Sequence, residues 1–222
     1  PPRPPGPARL GLVWDGTARV DTWLSGYLGA DDTPLHREVG KRWLISAVAR
    51  ALRRGCKVDH PLVLEGDQGV GKSTALRILA SDEWFGDALP PLGSKDAQSY
   101  LNGLWIVEMA EMVQSRRAEM EQEKAFLSRT TDRYRPPYGR VEVEKPRRCV
   151  FAGTTNEHNY LRDETGNRRF WPVRVGARSV PKLDALRVDR DQLWAEAVAL
   201  HRVGEPWHLS PAMEAEARRA QE

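Results

Sequence analysis

The stretch from Leu62 to Thr74, LVLEGDQGVGKST, constrains this chain more than any other. Leu62, Val63 and Leu64 predict a short buried strand, a glycine-rich turn follows, and Lys72 opens a helical pattern. The spacing GxxxxGK[ST] thus sits in the strand–turn–helix context that a phosphate-binding loop requires. Glycines at 66, 69 and 71 permit backbone conformations and close approaches that a Cβ obstructs, so the freed amides can point inward at a polyanion. Behind them the helix adds its unpaired N–H groups and positive dipole end. Gly66, Asp67, Gln68, Gly69, Val70, Gly71, Lys72, Ser73 and Thr74 are therefore expected to cradle the phosphates of ATP. Lys72 would reach the β- and γ-phosphates, and Ser73 would ligate Mg²⁺.

A second apolar run, Leu104 to Val107, ends in Glu108. Ligands of open α/β sheets lie at the carboxyl ends of the strands, so Glu108 is expected to face the Mg²⁺ held by Ser73. One helical turn later, Glu111 can reach the same pocket and polarise the attacking water. A third apolar run, Cys149 to Gly153, leads into Thr154, Thr155 and Asn156, where Asn156 can position water without adding charge. Arg168 and Arg169 stand just before an aromatic strand start. Paired arginines there suggest phosphate contact, although Asp163 or Glu164 would serve equally as salt-bridge partners.

The charge distribution points the same way. A formal net charge of +3 over 222 residues does not by itself indicate nucleic acid. Between Arg129 and Arg148, however, seven basic residues face Asp132, Glu142 and Glu144, whereas Glu108 to Glu123 holds five acids against Arg116 and Arg117. The alternation from Arg140 to Glu144, flanked by proline turns, predicts a basic hairpin. Lys124, Arg135, Tyr138, Arg140, Lys145 and Arg147 combine cations with an aromatic face, which suits single-stranded DNA.

Elsewhere the pattern is that of one sizeable core, or of one domain with a small appendage. Leu10 to Val20 reads as a strand or extended arm and Asp21 to Leu28 as a short helix. Val39, Trp43, Leu44, Ala47, Val48, Ala51 and Leu52 place one apolar stripe on a helix from His36 to Arg54. Further helices are expected over Lys72–Ala80, Ser94–Leu101, Glu111–Leu127 and Arg190–Val203, with a last one capped by Ser210-Pro211. The eight tryptophans read as core anchors, and His158, His201 and His208 as structural. Cys56 and Cys149 fit two buried thiols in a reducing cytosol, not a zinc site. No apolar run approaches the roughly 20 residues that a membrane helix needs. PPRPPGP at the start suits a stiff linker cut from something upstream.

In order, GDQGVGKST, LWIVEMAEM, KAFLSRTTDRYRPPYGR, FAGTTN and RDETGNRRFWPV resemble the virulence-associated protein E family of phage and mobile-element replication proteins, a branch of the superfamily 3 helicases. The resemblance covers roughly Val13 to Trp207. It implies an AAA+-like P-loop α/β core with a mainly parallel sheet, assembled into hexameric rings that hydrolyse ATP between subunits and translocate on single-stranded DNA. It further implies an upstream primase, which would explain the proline linker, and action in the cytoplasm of a bacterial host. By position, Lys72 and Ser73 match the first motif, Glu108 the acidic motif, Asn156 the sensor, and Arg168 or Arg169 the finger that reaches a neighbour's nucleotide. The DNA-holding hairpin falls on Pro136 to Arg147. The chain departs from the family in one respect: Glu108 is followed by Met109 where relatives place two acids side by side. Water polarisation is thus open between Glu108 and Glu111.

The expected organisation is a linker over 1–9, an arm and helical lead-in over 10–60, the ATPase core with its hairpin over 61–176, and a C-terminal helical segment over 177–222. Two other readings share the loop. A small P-loop kinase would need an acceptor pocket and lid, and a nucleotide-gated DNA-binding module would hydrolyse little ATP. Fold alone does not separate them.

Overall fold

The computed structural model describes residues 11–92, 94–110, 117–136, 139–156 and 169–219. The proline-rich start, Glu111, Tyr138, His158 and Arg168 lie outside the described residues. In chain order the elements are α1 (Trp23–Leu28), α2 (Pro34–Leu52), β1 (Leu62–Glu65), α3 (Lys72–Ala80), β2 (Phe85–Gly86), α4 (Lys95–Tyr100) and β3 (Ile106–Met109). There follow α5 (Arg117–Leu127), β4 (Thr131–Tyr134), β5 (Val143–Pro146), β6 (Val150–Thr155), β7 (Trp171–Arg174), α6 (Leu183–Arg202) and α7 (Pro211–Arg219).

Five strands form a wholly parallel sheet in the order β2-β3-β6-β1-β7, and β4 pairs antiparallel with β5. Parallel strands need crossover connections, so helices cover both faces and the strands read as continuous apolar runs. The two-residue period sorts their side chains. Leu62, Leu64, Ile106, Val150, Ala152, Trp171 and Val173 join a core with α1, α2, α3 and α6. Val63, Val107 and Phe151 point the other way, against Ala97 of α4, Leu101 just beyond it, and Phe126 and Leu127 of α5. By the same period Glu108 follows Ile106 and Thr154 follows Ala152 onto the face that carries α3. That parity builds the site described below.

Helix α2 departs from the single stripe that its sequence predicts. Thr33 caps it, its hydroxyl accepting the His36 amide at 3.1 Å, and Pro34 occupies the first turn, where its missing N–H costs nothing. From Trp43 to Ala49 every residue is fully buried, Ser46 included, and Arg50 lies inside with Nη2 donating to Val58 O at 2.8 Å. The reason is α6, which begins at Leu183 rather than Arg190 and closes over the side of α2 that a surface helix would leave to water. Indole N–H groups tie these layers to backbone carbonyls: Trp43 to Phe151 at 3.0 Å, Trp105 to Ala47 at 2.9 Å and Trp194 to Leu79 at 2.9 Å. Each anchor therefore buries a large apolar surface without orphaning its polar atom. Residues 11–19 run as an arm, held where Glu196 Oε2 accepts the amides of Arg19 at 2.6 Å and Val20 at 3.0 Å. Among the described residues no helix is long and apolar enough to cross a membrane.

The hairpin is present, but its strands are Thr131–Tyr134 and Val143–Pro146, so Arg140 and Val141 lie in the connection between them. Its foot is welded to the domain by Arg147. This guanidinium is buried, pairs bidentately with Asp132 at 2.8 and 2.7 Å, and donates through Nη1 to Phe126 O at 2.5 Å. It also stacks over the rings of Phe126 and Phe151, 4.4 and 5.4 Å from their centroids. Asp132→Ala would leave that cation buried and uncompensated, so a stability loss of about 3–5 kcal/mol is expected in urea unfolding. Asp132→Leu combined with Arg147→Met should recover most of it. A loss below about 1 kcal/mol, the value of an exposed pair, would show that the hairpin is anchored otherwise.

Candidate functional site

The turn between β1 and α3 follows from its glycines. Gly66, Gly69 and Gly71 have φ of 148°, 80° and 97°, a region that L side chains rarely adopt. A Cβ on Gly66 would stand 2.8 Å from Val175 O, whereas one on Gly69 would meet nothing within 4 Å. The loop is thus pressed against the domain at its root and open at its crown, where Asp67, Gln68 and Gly69 are exposed. Gly66 N–H donates to Thr155 O at 3.2 Å, tying the root to the end of β6. Helix α3 starts at Lys72, so its first amides, Lys72, Ser73 and Thr74, have no preceding carbonyl within the helix.

Beneath this crown the polar side chains converge. Lys72, only 8% exposed, donates from Nζ to Gly66 O at 2.7 Å, Asp67 O at 2.9 Å and Asn156 Oδ1 at 2.8 Å. Burial pushes its ammonium below the usual lysine value, and the charges of Asp67 and Glu108 oppose that shift. Glu108, 2% exposed, accepts two hydroxyl hydrogen bonds on the same oxygen, from Ser73 Oγ and Thr154 Oγ1, each at 2.6 Å. Charge-assisted bonds of this length are the strong kind. The carboxyl ends of β1, β3 and β6 and the start of α3 thereby meet at one point.

Hydroxyl and carboxylate oxygens are the hard donors that Mg²⁺ prefers. Among the described residues no cluster of three or more His, Cys, Asp or Glu side chains could hold a metal on its own. A site with one hydroxyl and one carboxylate instead suits an ion that arrives with phosphate oxygens and water in its remaining positions. Ser73 and Glu108 fit that description.

The expected residues fall into three groups. Lys72, Ser73, Glu108 and Asn156 come together at the loop. Thr154 joins them in a role its sequence position did not single out; the available signal was a threonine of the same parity as Ala152, at the end of an otherwise apolar strand. Arg169 does not join them. It precedes β7, whose Trp171 is level with Leu62 at the start of β1, and its Nε lies 3.6 Å from Asp59 Oδ2. The four-residue strand places it about 13 Å or more from the loop edge, at the opposite end of the sheet.

The third group is the basic hairpin, and here the structure corrects the expectation. Arg147 is enclosed as described above and faces the core. Lys124 is buried as well, 3.2 Å from Glu121. Arg135, Arg140 and Lys145 are exposed, with Arg135 Nε donating to Gly139 O at 2.7 Å. Arg133, a further cation on β4, is matched by Glu142 at 3.0 Å. Of the remaining histidines, His60 stacks on Trp171 at 4.0 Å, and burial pushes its pKa down to about 3. A neutral, packed imidazole there is structural.

The fold has counterparts among known proteins. The A-form apo structure of the NrS-1 C terminal region matches with a TM-score of 0.63 and 16% identity, covering 99% of this chain and 55% of that one. An apo structure of the same region, spanning 305-718, matches with a TM-score of 0.63 and 17% identity, again over 99% and 55%. The chain therefore spans about half the length of these structures, and at such identity the likeness is one of fold. The family model for the virulence-associated protein E-like domain matches residues 10–222, and this chain belongs to that family.

Proposed function

We propose that this chain is the ATP-driven motor of a phage or mobile-element replication protein, an AAA+-like P-loop ATPase of the superfamily 3 helicase type. It would act in a bacterial host's cytoplasm, as a ring on single-stranded DNA, with a primase upstream in the longer protein. The observation that carries the reading is the meeting of Lys72, Ser73, Glu108, Thr154 and Asn156 at the carboxyl ends of three parallel strands beside a glycine loop. A small-molecule kinase gains no comparable support, because nothing among the described residues of this cluster resembles an acceptor site.

In this reading the loop amides and Lys72 hold the β- and γ-phosphates. The Lys72 ammonium exchanges some of its present oxygen partners, Gly66 O, Asp67 O and Asn156 Oδ1, for phosphate oxygens. Mg²⁺, when bound, neutralises developing charge on the phosphates, and Ser73 and Glu108 are the residues that would hold it. With Glu108 committed to two hydroxyls beside the loop, the water-polarising role passes to Glu111. Asn156 orients that water. Its oxygen attacks the γ-phosphorus, the bond to the β-phosphate oxygen breaks, and the water's proton passes to the base as ADP and phosphate form. Because Arg169 lies at the far end of its own sheet, it can contribute only to a nucleotide on a neighbouring subunit, in a head-to-tail ring.

Three outcomes test this. Lys72→Ala should abolish hydrolysis, measured as phosphate release, since it removes the cation built into the loop; an unchanged rate would discard the assignment. Glu108→Gln should cripple turnover while ATP still binds, and if Glu111→Gln leaves the rate intact the division of labour between the two acids is wrong. Arg168→Ala with Arg169→Ala should lose about a thousandfold or more in rate yet bind ATP. Mixed with Lys72→Ala protein, it should regain part of the hydrolysis, because some interfaces then pair an intact loop with an intact finger. No regain in rings shown to be mixed would place both arginines outside trans catalysis.

A further inference from the structure

Many surface arginines among the described residues are paired with an acid. Arg19 meets Asp15 at 2.9 Å, Arg37 meets Asp32 at 2.7 Å, Arg42 meets Glu205 at 2.6 Å and Arg178 meets Asp31 at 2.6 Å. Two that are not, Arg54 and Arg148, follow chain segments that meet at the sheet end opposite the glycine loop. There α2 ends in the turn Arg53-Arg54-Gly55-Cys56, which docks against the foot of the hairpin. Gly55 N–H donates to Arg147 O at 2.9 Å, and a Cβ on Gly55 would meet Thr130 O at 3.2 Å. With φ at +72° as well, the position requires glycine.

This docking sets Arg54 beside Arg148. Arg147 is turned into the core by Asp132, and its neighbour Arg148 is left partly open on the other side of the chain. Burial, and after it the charge of Arg54, pushes the Arg148 guanidinium below its usual value. Among the described residues neither forms an ion pair, and Arg53, exposed beside them, rests only on the Trp207 ring at 5.4 Å. Arginine does not shed its proton to escape such a position. The cluster is therefore a standing like-charge repulsion that an anion would relieve.

We propose that Arg54 and Arg148, with Arg53 alongside, form a second contact for backbone phosphates of single-stranded nucleic acid, continuing the exposed face of the hairpin from Lys145 to the end of α2. The proposal rests on the DNA-binding reading above and extends it to residues outside the hairpin. A polynucleotide fits better than a free nucleotide. Planar guanidinium forks suit phosphodiester oxygens, the exposed cations Arg140 and Lys145 lie on the adjoining hairpin, and the glycine loop stands at the other edge of the sheet.

The test is fluorescence anisotropy of a labelled oligothymidylate with the full chain over a salt series. Each phosphate neutralised on a single strand contributes about −0.7 to the log–log slope. Arg54→Gln with Arg148→Gln should therefore flatten the slope by about 1.4, and Arg54→Gln alone, at an exposed position, by about 0.7. Lysine at both positions should restore the wild-type slope. A wild-type slope in the glutamine variants, in protein with an unchanged melting curve, overturns the proposal. If Arg140→Ala with Lys145→Ala still flattens the slope in that case, the hairpin alone binds DNA and the broader reading stands. Wild-type protein that fails to bind the oligonucleotide at any salt concentration removes both.

Discussion

The Glu108 carboxylate is the point on which the rest of the structure depends. One of its oxygens accepts hydroxyl hydrogen bonds from Ser73 on α3 and Thr154 on β6, so three elements distant in sequence are fixed to one buried acid. Burying a carboxylate is costly unless hydrogen bonds compensate it. Here the compensation comes from groups that also define the end of the loop. The order β2-β3-β6-β1-β7 makes this possible, since it inserts β6 between the loop strand and the acid strand. Thr154 and Asn156 are thereby delivered between Glu108 and Lys72.

The parallel sheet separates two kinds of chemistry. Its carboxyl edge gathers a lysine, an acid and hydroxyls. The opposite edge gathers Arg54, Arg148 and Arg169 and the hairpin foot. Strand β6 runs from one edge to the other, from the residue after Arg148 and Cys149 to the residue before Asn156, and it is buried along its whole length. A close-packed strand of this kind is stiff. The Arg147–Asp132 pair joins the hairpin to the start of that strand.

Much of this was legible in the sequence because it rests on local rules. The glycine spacing, the apolar run ending in Glu108 and the run ending in Asn156 each predict a strand and its polar terminus, and period-two alternation then assigns faces. What escaped was decided by tertiary contact. Nothing local says that Arg147 turns inward to Asp132 while Arg148 stays near the surface, so the hairpin looked more cationic than it is. Lys124 misled for the same reason. The two-residue strand β2 is too short to carry a pattern, and α2 showed one stripe because its second covering came from α6, some 150 residues later in the chain. Thr154 was passed over because a threonine beside an asparagine draws less notice than the amide.

If the proposed function holds, the cluster around Glu108 turns over nucleotide in response to DNA. The most direct measurement is the steady-state rate of phosphate release by the wild-type protein with ATP and Mg²⁺, in the absence and presence of saturating single-stranded DNA. Mg²⁺-dependent hydrolysis that rises when DNA is added is the expected result. Hydrolysis that is absent under both conditions, in protein that is folded and assembled, would contradict it.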